Sequence, residues 1–290
     1  MLPAAADPVG PPAGSVGEPH TEPAPVPIRP MQFRELLDLP FALIQTRIKT
    51  LAVLLGVAVA VAAAVTIAVT VLVSVATDDS DGGTFWGALL TGLLAAWALR
   101  MFVRGVTVPI GLAVVHRQQL SWQSALNQLA SEAGALLGYQ VMYTLIGIGV
   151  LALGAPLLIT FPFAVIWLLW LRARRFTTVP AIFDESATFR IATLRTKLLM
   201  SGSEWQIVGL LISLRGLLLV LVVPLLALPQ FISGFSGTHR WTVTVLIVTA
   251  ALLMVAFGEM VESAAQVVTY VDRRCRREAW DIRIPGEVRR

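Results

Sequence analysis

From residue 51 to residue 76 the chain reads LAVLLGVAVAVAAAVTIAVTVLVSVA, 26 residues without one charge. Coiled into a helix at 1.5 Å per residue, that stretch is about 39 Å long. About 20 apolar residues already cross the ~30 Å hydrocarbon core of a bilayer. A soluble chain could not cover such a helix with only 14% charged residues. The 56% hydrophobic composition and mean hydropathy of +0.76 extend the conclusion to the whole chain. The expected fold class is therefore all-α integral membrane: a six-span helical bundle with cytoplasmic interfacial amphipathic helices. The spans are expected at 51–76, 85–103, 133–153, 156–171, 205–228 and 241–270, the third and fourth joined by a tight Leu-Gly-Ala-Pro hairpin.

Residues 1–30 are rich in Pro, Ala and Gly without apolar periodicity. Such a segment cannot bury enough surface to offset its ordering entropy, so a disordered tail is expected. It has no basic start leading into a short apolar run, so it does not read as a signal peptide. The division is then a tail (1–30), a six-span membrane domain (31–272) and a basic cytoplasmic tail (273–290). Apolar residues recur at helical spacing ahead of three span pairs: Phe33, Leu36, Leu37, Ile44 and Ile48; Trp122, Ala125, Leu126 and Leu129; Ala187, Ile191, Leu194 and Leu198. Each segment predicts an amphipathic helix in the interface plane, with Pro40 kinking or breaking the first. Three such units would be parallel repeats about the membrane normal; short polar loops give the same pattern by chance.

Arginine supplies 20 of the 22 basic residues, and all 22 basic residues except Arg215 and Arg240 fall on one side of the expected spans. By the positive-inside rule both termini face the cytoplasm. The net charge of +4 and pI near 9.8 would suit nucleic acid, but clusters flanking spans are what membrane topology requires, so no nucleic-acid partner is expected. Membrane lipids, through anionic headgroups on the cytoplasmic face, are. The arginine, alanine and valine bias associates the chain with a GC-rich bacterial genome and its plasma membrane. Cys275, the one cysteine, cannot form an internal disulfide.

His20, His116 and His239 fall in three different segments, and no paired-Cys, His-Glu-x-x-His or phosphate-loop motif occurs. No enzyme, metal or cofactor is expected. The informative charges are Arg215, Glu259 and Glu262, each inside an expected span. Measured from the cytoplasmic ends of their spans, Arg215 and Glu259 both lie about 15 Å deep, so they can meet. A lone charge there costs at least about 2.5–3.5 kcal/mol. They form either an interhelical ion pair or a polar path. Arg273, Arg274, Arg276 and Arg277 follow Tyr270, which belongs at a half-wet interface, and would reach headgroups or a partner at about 1 kcal/mol each. Gly134 and Gly138 form a small-xxx-small pattern expected at a close helix crossing. Asp78, Asp79 and Asp81 form an acidic loop, read as solvated.

Two stretches carry a resemblance. Residues 179–212, VPAIFDESATFRIATLRTKLLMSGSEWQIVGLLI, resemble the central segment of the glycerophosphoryl diester phosphodiesterase membrane-domain family, in which an acid, an Ala-rich helix with Arg and Leu, and Gly-x-x-Trp lead into a span. Glu185, Arg195, Gly202 and Trp205 occupy those places. Residues 270–284, YVDRRCRREAWDIRI, resemble the terminal pattern of its actinobacterial members, with Tyr270, Asp272, Arg274, Arg276, Glu278 and Asp281 in step, although Ala279-Trp280 stands where a Gly is usual. The resemblance covers roughly residues 31–284. Some relatives are fused to a barrel hydrolase that carries the catalysis. Such a barrel needs about 250 residues, and no segment of that size remains outside the spans. The resemblance therefore implies a membrane domain alone. The expected role is a non-enzymatic accessory or scaffold component of cell-envelope or lipid processes; the alternative is a transporter or lipid-handling channel with its polar path at Arg215, Glu259 and Glu262.

Overall fold

A computed structural model describes residues 26–154, 160–236 and 240–280. The described residues form nine helices and no strand: α1 Phe33–Thr46, α2 Ile48–Ala76, α3 Asp81–Val115, α4 Trp122–Gly154, α5 Phe161–Ala173, α6 Thr178–Glu185, α7 Phe189–Met200, α8 Glu204–Ser236 and α9 Arg240–Glu278. Five of them are long and apolar enough to cross a membrane: α2, α3, α4, α8 through Leu225, and α9 from Trp241. α5 has 13 described residues, about 20 Å, less than a hydrocarbon core. The fourth expected span begins in residues outside those described.

The charge-free stretch behaves as its composition dictates. α2 buries Leu51, Leu55, Val59, Ala63, Thr66, Thr70 and Ser74, steps of four and three that make one stripe. That stripe lies on α3, where Val73 reaches Gly87 and Thr66 reaches Gly92. Thr66 and Thr70 satisfy their hydroxyls on carbonyls four residues back, at 2.8 and 2.7 Å, so they can sit on an apolar face. Val53, Val57, Val61 and Val65 point outward, as a lipid-facing flank requires. At the far end Asp78 and Asp79 adopt positive φ (51° and 55°), and Ser80 caps α3 by accepting from the Gly83 N–H. Close helix approaches fall at other glycines, Gly87, Gly105, Gly154 and Gly258 among them. Gly134 faces open space and Gly138 meets only Phe189, because a small-residue spacing does not say which face of a helix is covered.

α3 and α9 have 35 and 39 residues, about 52 and 58 Å, so each outruns the apolar bundle. Residues 103–113 of α3 and 259–273 of α9 are buried on every side, which requires other elements around them. α1, α6, α7 and the first turns of α8 supply those elements and form a helical cap at one end of the bundle. α1 turns Leu36, Pro40, Leu43 and Ile44 inward, chiefly onto α9. Pro40 neither ends nor breaks it: the helix runs on to Thr46 with the proline ring buried. The segment before α1 also differs from expectation: Val26 and Met31 are buried and Ile28 is packed on the core, so residues 26–30 belong to the cap. The rest of the expected tail, 1–25, lies outside the described residues. α4 runs unbroken from Trp122. No helix breaker separates residue 129 from 133, so the second amphipathic segment is the start of a span and not a separate helix, and the threefold repeat does not hold there.

Two expected outcomes follow from local geometry. A Cβ on Gly154 would come within 2.6 Å of the Ala164 Cβ, and neither group can swing away. Gly154→Ala should therefore cost about 1–3 kcal/mol by forcing the α4–α5 pair apart, read as a lowered melting temperature in detergent. At the start of α1 the Gln32 N–H donates to Glu35 at 2.8 Å; this bond and the Arg29 guanidinium hold the Glu35 carboxyl below its ordinary value. A depressed folded-state pKa gives stability that is present above the unfolded value and lost as the pH falls through the folded one. The Gln32 amide, corrected for slower intrinsic exchange in acid, should accordingly lose protection as the pH drops below the usual glutamate range, while the α9 core stays protected.

Candidate functional site

Three helices reach their first inward charge after one bilayer thickness. Between Asp81 and Arg100 on α3, and from Trp241 to the residue before Glu259 on α9, the chain carries 18 uncharged residues in each case, about 27 Å of helix. Beyond Arg215 on α8, residues 216–236 are again uncharged. The charges thus form one layer where a bilayer-length apolar bundle meets the cap. Sequence spacing placed Arg215 and Glu259 near mid-bilayer because it took the helix ends at Tyr270 and Trp205 as the hydrocarbon boundary. Both ends are instead inside or against the cap.

Glu259 and Glu262, three apart on α9, share a face. Glu259 Oε1 accepts from Arg104 Nε at 2.8 Å and from Arg104 Nη2, and its Oε2 accepts from Arg100 Nε at 2.8 Å. Glu262 Oε1 accepts from Arg172 Nε at 2.7 Å and from Arg172 Nη2. Its Oε2 lies 3.6 Å from Arg215 Nη2. Arg215 therefore pairs with Glu262, and Glu259 takes its partners from α3. Arg104 also donates from Nη1 to Gln140 Oε1 on α4 at 3.0 Å and stacks over Tyr139, 5.2 Å from the ring centre. Five helices, α3, α4, α5, α8 and α9, each contribute a polar side chain. Glu259 and Arg104 are 3% exposed, whereas Arg100 and Arg215 are 37% and 44% exposed. Arg100, Arg104 and Arg172 did not emerge from the sequence, where they counted as charges of cytoplasmic connections. The signal available was the four-residue spacing of Arg100 and Arg104, which puts both on one helix face if the second span runs on past Val103.

A second network closes the cap. Asp272, fully buried, accepts from the Met31 N–H at 2.7 Å and from Arg276 Nε at 2.9 Å, with Arg273 Nε 3.3 Å from its other oxygen. Arg276 returns a bond to the Met31 carbonyl at 2.6 Å, and Arg273 donates to Gln206 at 2.8 Å. Tyr270 is not at a wet boundary: it is enclosed, and its hydroxyl lies 2.9 Å from both Asp184 and Glu185. Arg274 donates to Asp184 at 2.6 Å and to Glu278 at 3.1 Å and covers the Trp280 ring at 4.4 Å. Arg195 pairs with Glu185 and with Glu278, and Arg277 reaches the Ser201 carbonyl beside Gly202. Of the four terminal arginines, Arg273 and Arg274 face inward and Arg276 and Arg277 keep exposed surface. The residues that carried the two resembling stretches meet here, apart from Trp205, which points outward, and Asp281, which lies outside the described residues. Their spacing is that of interlocking ion pairs.

No group of three or more His, Cys, Asp or Glu side chains among the described residues is placed to hold a metal ion. Comparison with protein-family models, with curated proteins and with solved structures returns no match for this chain. Five bilayer-length helices, four of which meet at the charged layer, define the class: an all-helical, multi-pass membrane protein.

Proposed function

We propose that the chain is a six-span, non-enzymatic protein of a bacterial plasma membrane, with the cap and both termini in the cytoplasm, acting as an accessory or scaffold component of cell-envelope or lipid processes. On the same reading it is a membrane domain of the glycerophosphoryl diester phosphodiesterase family without the catalytic barrel, and α5 with the residues before it forms the sixth crossing. The observation that carries the scaffold reading is the cap: an interlocked platform whose α7 buries Ala192, Thr196, Leu199 and Met200 yet turns Ile191, Leu194 and Leu198 outward, between exposed Arg190 and Lys197. An apolar stripe edged by cations on a rigid support suits a partner or the headgroup layer. A photo-crosslinker at Leu194 should capture the same protein repeatedly in cells, and Leu198→Glu should abolish that adduct. Crosslinks to lipid alone would count against a scaffold. Reporter fusions at the two termini test the topology, and fusions reporting opposite sides would end the six-span reading.

The second reading, a lipid-handling channel or transporter, is favoured by Arg100 and Arg215, whose guanidinium groups stay partly open beside buried carboxylates.

A further inference from the structure

The charged layer does not balance. Arg100, Arg104, Arg172 and Arg215 bring four positive charges and Glu259 and Glu262 two negative ones, a surplus of +2 among the described residues. The surplus sits on two side chains. Arg104 and Arg172 each hold a carboxylate through two nitrogens. Arg100 spends only Nε on Glu259, and among the described residues its two terminal nitrogens make no hydrogen bond. Arg215 touches Glu262 at 3.6 Å, beyond hydrogen-bond length. Both flank one pair of carboxylates, Glu259 and Glu262, which lie three residues apart on one face of α9. Next to hydrocarbon an uncompensated cation is costly, and the guanidinium fork matches phosphate oxygens in geometry and charge.

We propose that Arg100 and Arg215 together bind a phosphate group at the hydrocarbon boundary, donated by the headgroup of an anionic phospholipid or by a soluble phosphate. The apolar residues above Arg215, Leu217, Leu219 and Val220, are exposed and can take acyl chains while the phosphate bridges the two arginines. This inference rests on the lipid-handling reading only for its site. A protein that binds the phosphate but moves no lipid between vesicles keeps the site and loses the handling.

The test uses the full chain in neutral detergent, titrated calorimetrically with dioctanoyl phosphatidylglycerol, with dioctanoylglycerol as the phosphate-free probe and inorganic phosphate as competitor. The R100Q/R215Q variant keeps two arginines on two glutamates, so its layer is neutral and paired. It should bind the phosphatidylglycerol about tenfold more weakly or worse, the loss expected from one charge-assisted hydrogen bond, and dioctanoylglycerol should show no binding that the variant reduces. Competition by inorganic phosphate assigns the site to a soluble phosphate; its failure to compete assigns it to the headgroup. Equal affinity in wild type and folded R100Q/R215Q for both phosphate probes overturns the proposal. Glu262→Gln raises the surplus to three and should tighten binding severalfold; it decides the question where R100Q/R215Q does not fold, unchanged affinity then overturning the proposal.

Discussion

Glu259→Leu should destabilise the protein by about 3–5 kcal/mol, the loss expected when one partner of a buried ion pair is removed. Two arginines lose their carboxylate at once. Arg100 can turn toward its open side, but Arg104 is enclosed and keeps only Gln140 and the Tyr139 ring. The same physics makes the loss reversible. Replacing a buried pair by apolar residues of similar volume is often neutral or stabilising, so Arg104→Leu in the Glu259→Leu background should recover most of the melting temperature. The double-mutant cycle should therefore show a large favourable coupling. A benign single variant, or a double variant no better than the single, would mean that the carboxylate is not held by α3.

Asp272→Ala should cost a similar ~3–5 kcal/mol, with a different local signature. Its carboxylate joins the chain before α1 to the last turns of α9, through bonds between residues 241 positions apart. Without it the Met31 N–H loses its acceptor and the buried Arg273 guanidinium loses its counter-charge. The segment from Val26 to Met31 should come free first, seen as rapid amide exchange at Met31. Asp272→Asn keeps an oxygen for the Met31 N–H and removes only the charge, so it should fall between wild type and Asp272→Ala, near 1–3 kcal/mol. Continued protection of Met31 in Asp272→Ala would show that apolar packing of Val26 and Met31 holds the segment without the carboxylate.

The parts legible in the sequence were those in which local composition alone sets the outcome. A 26-residue charge-free run can only be a membrane helix, and the all-helical class followed from it. Arg215, Glu259 and Glu262 stood out because a charge inside an apolar run is costly wherever the run is placed. Their pairing was not legible. Arg100, Arg104 and Arg172 lie at the ends of apolar runs, where an arginine next to headgroups and an arginine bonded to a buried glutamate have the same sequence signature. Tyr270 and Arg273 were misleading for a related reason. An aromatic residue followed by basic ones marks a membrane exit only where the helix then meets water, and α9 instead enters the cap.

The sequence by itself determined which runs are apolar enough to cross hydrocarbon, five of them on helices long enough to do so, because transfer from water to lipid depends on each residue's own chemistry summed over about 20 neighbours. Tertiary structure alone decided how far the helices run past the bilayer and what surrounds them there. Burial of 259–273 of α9 depends on α1, α6, α7 and α8, which are distant in the chain. Whether each arginine near that boundary faces a carboxylate or stays open is likewise set by which helix lies opposite, and that is a property of the packed bundle.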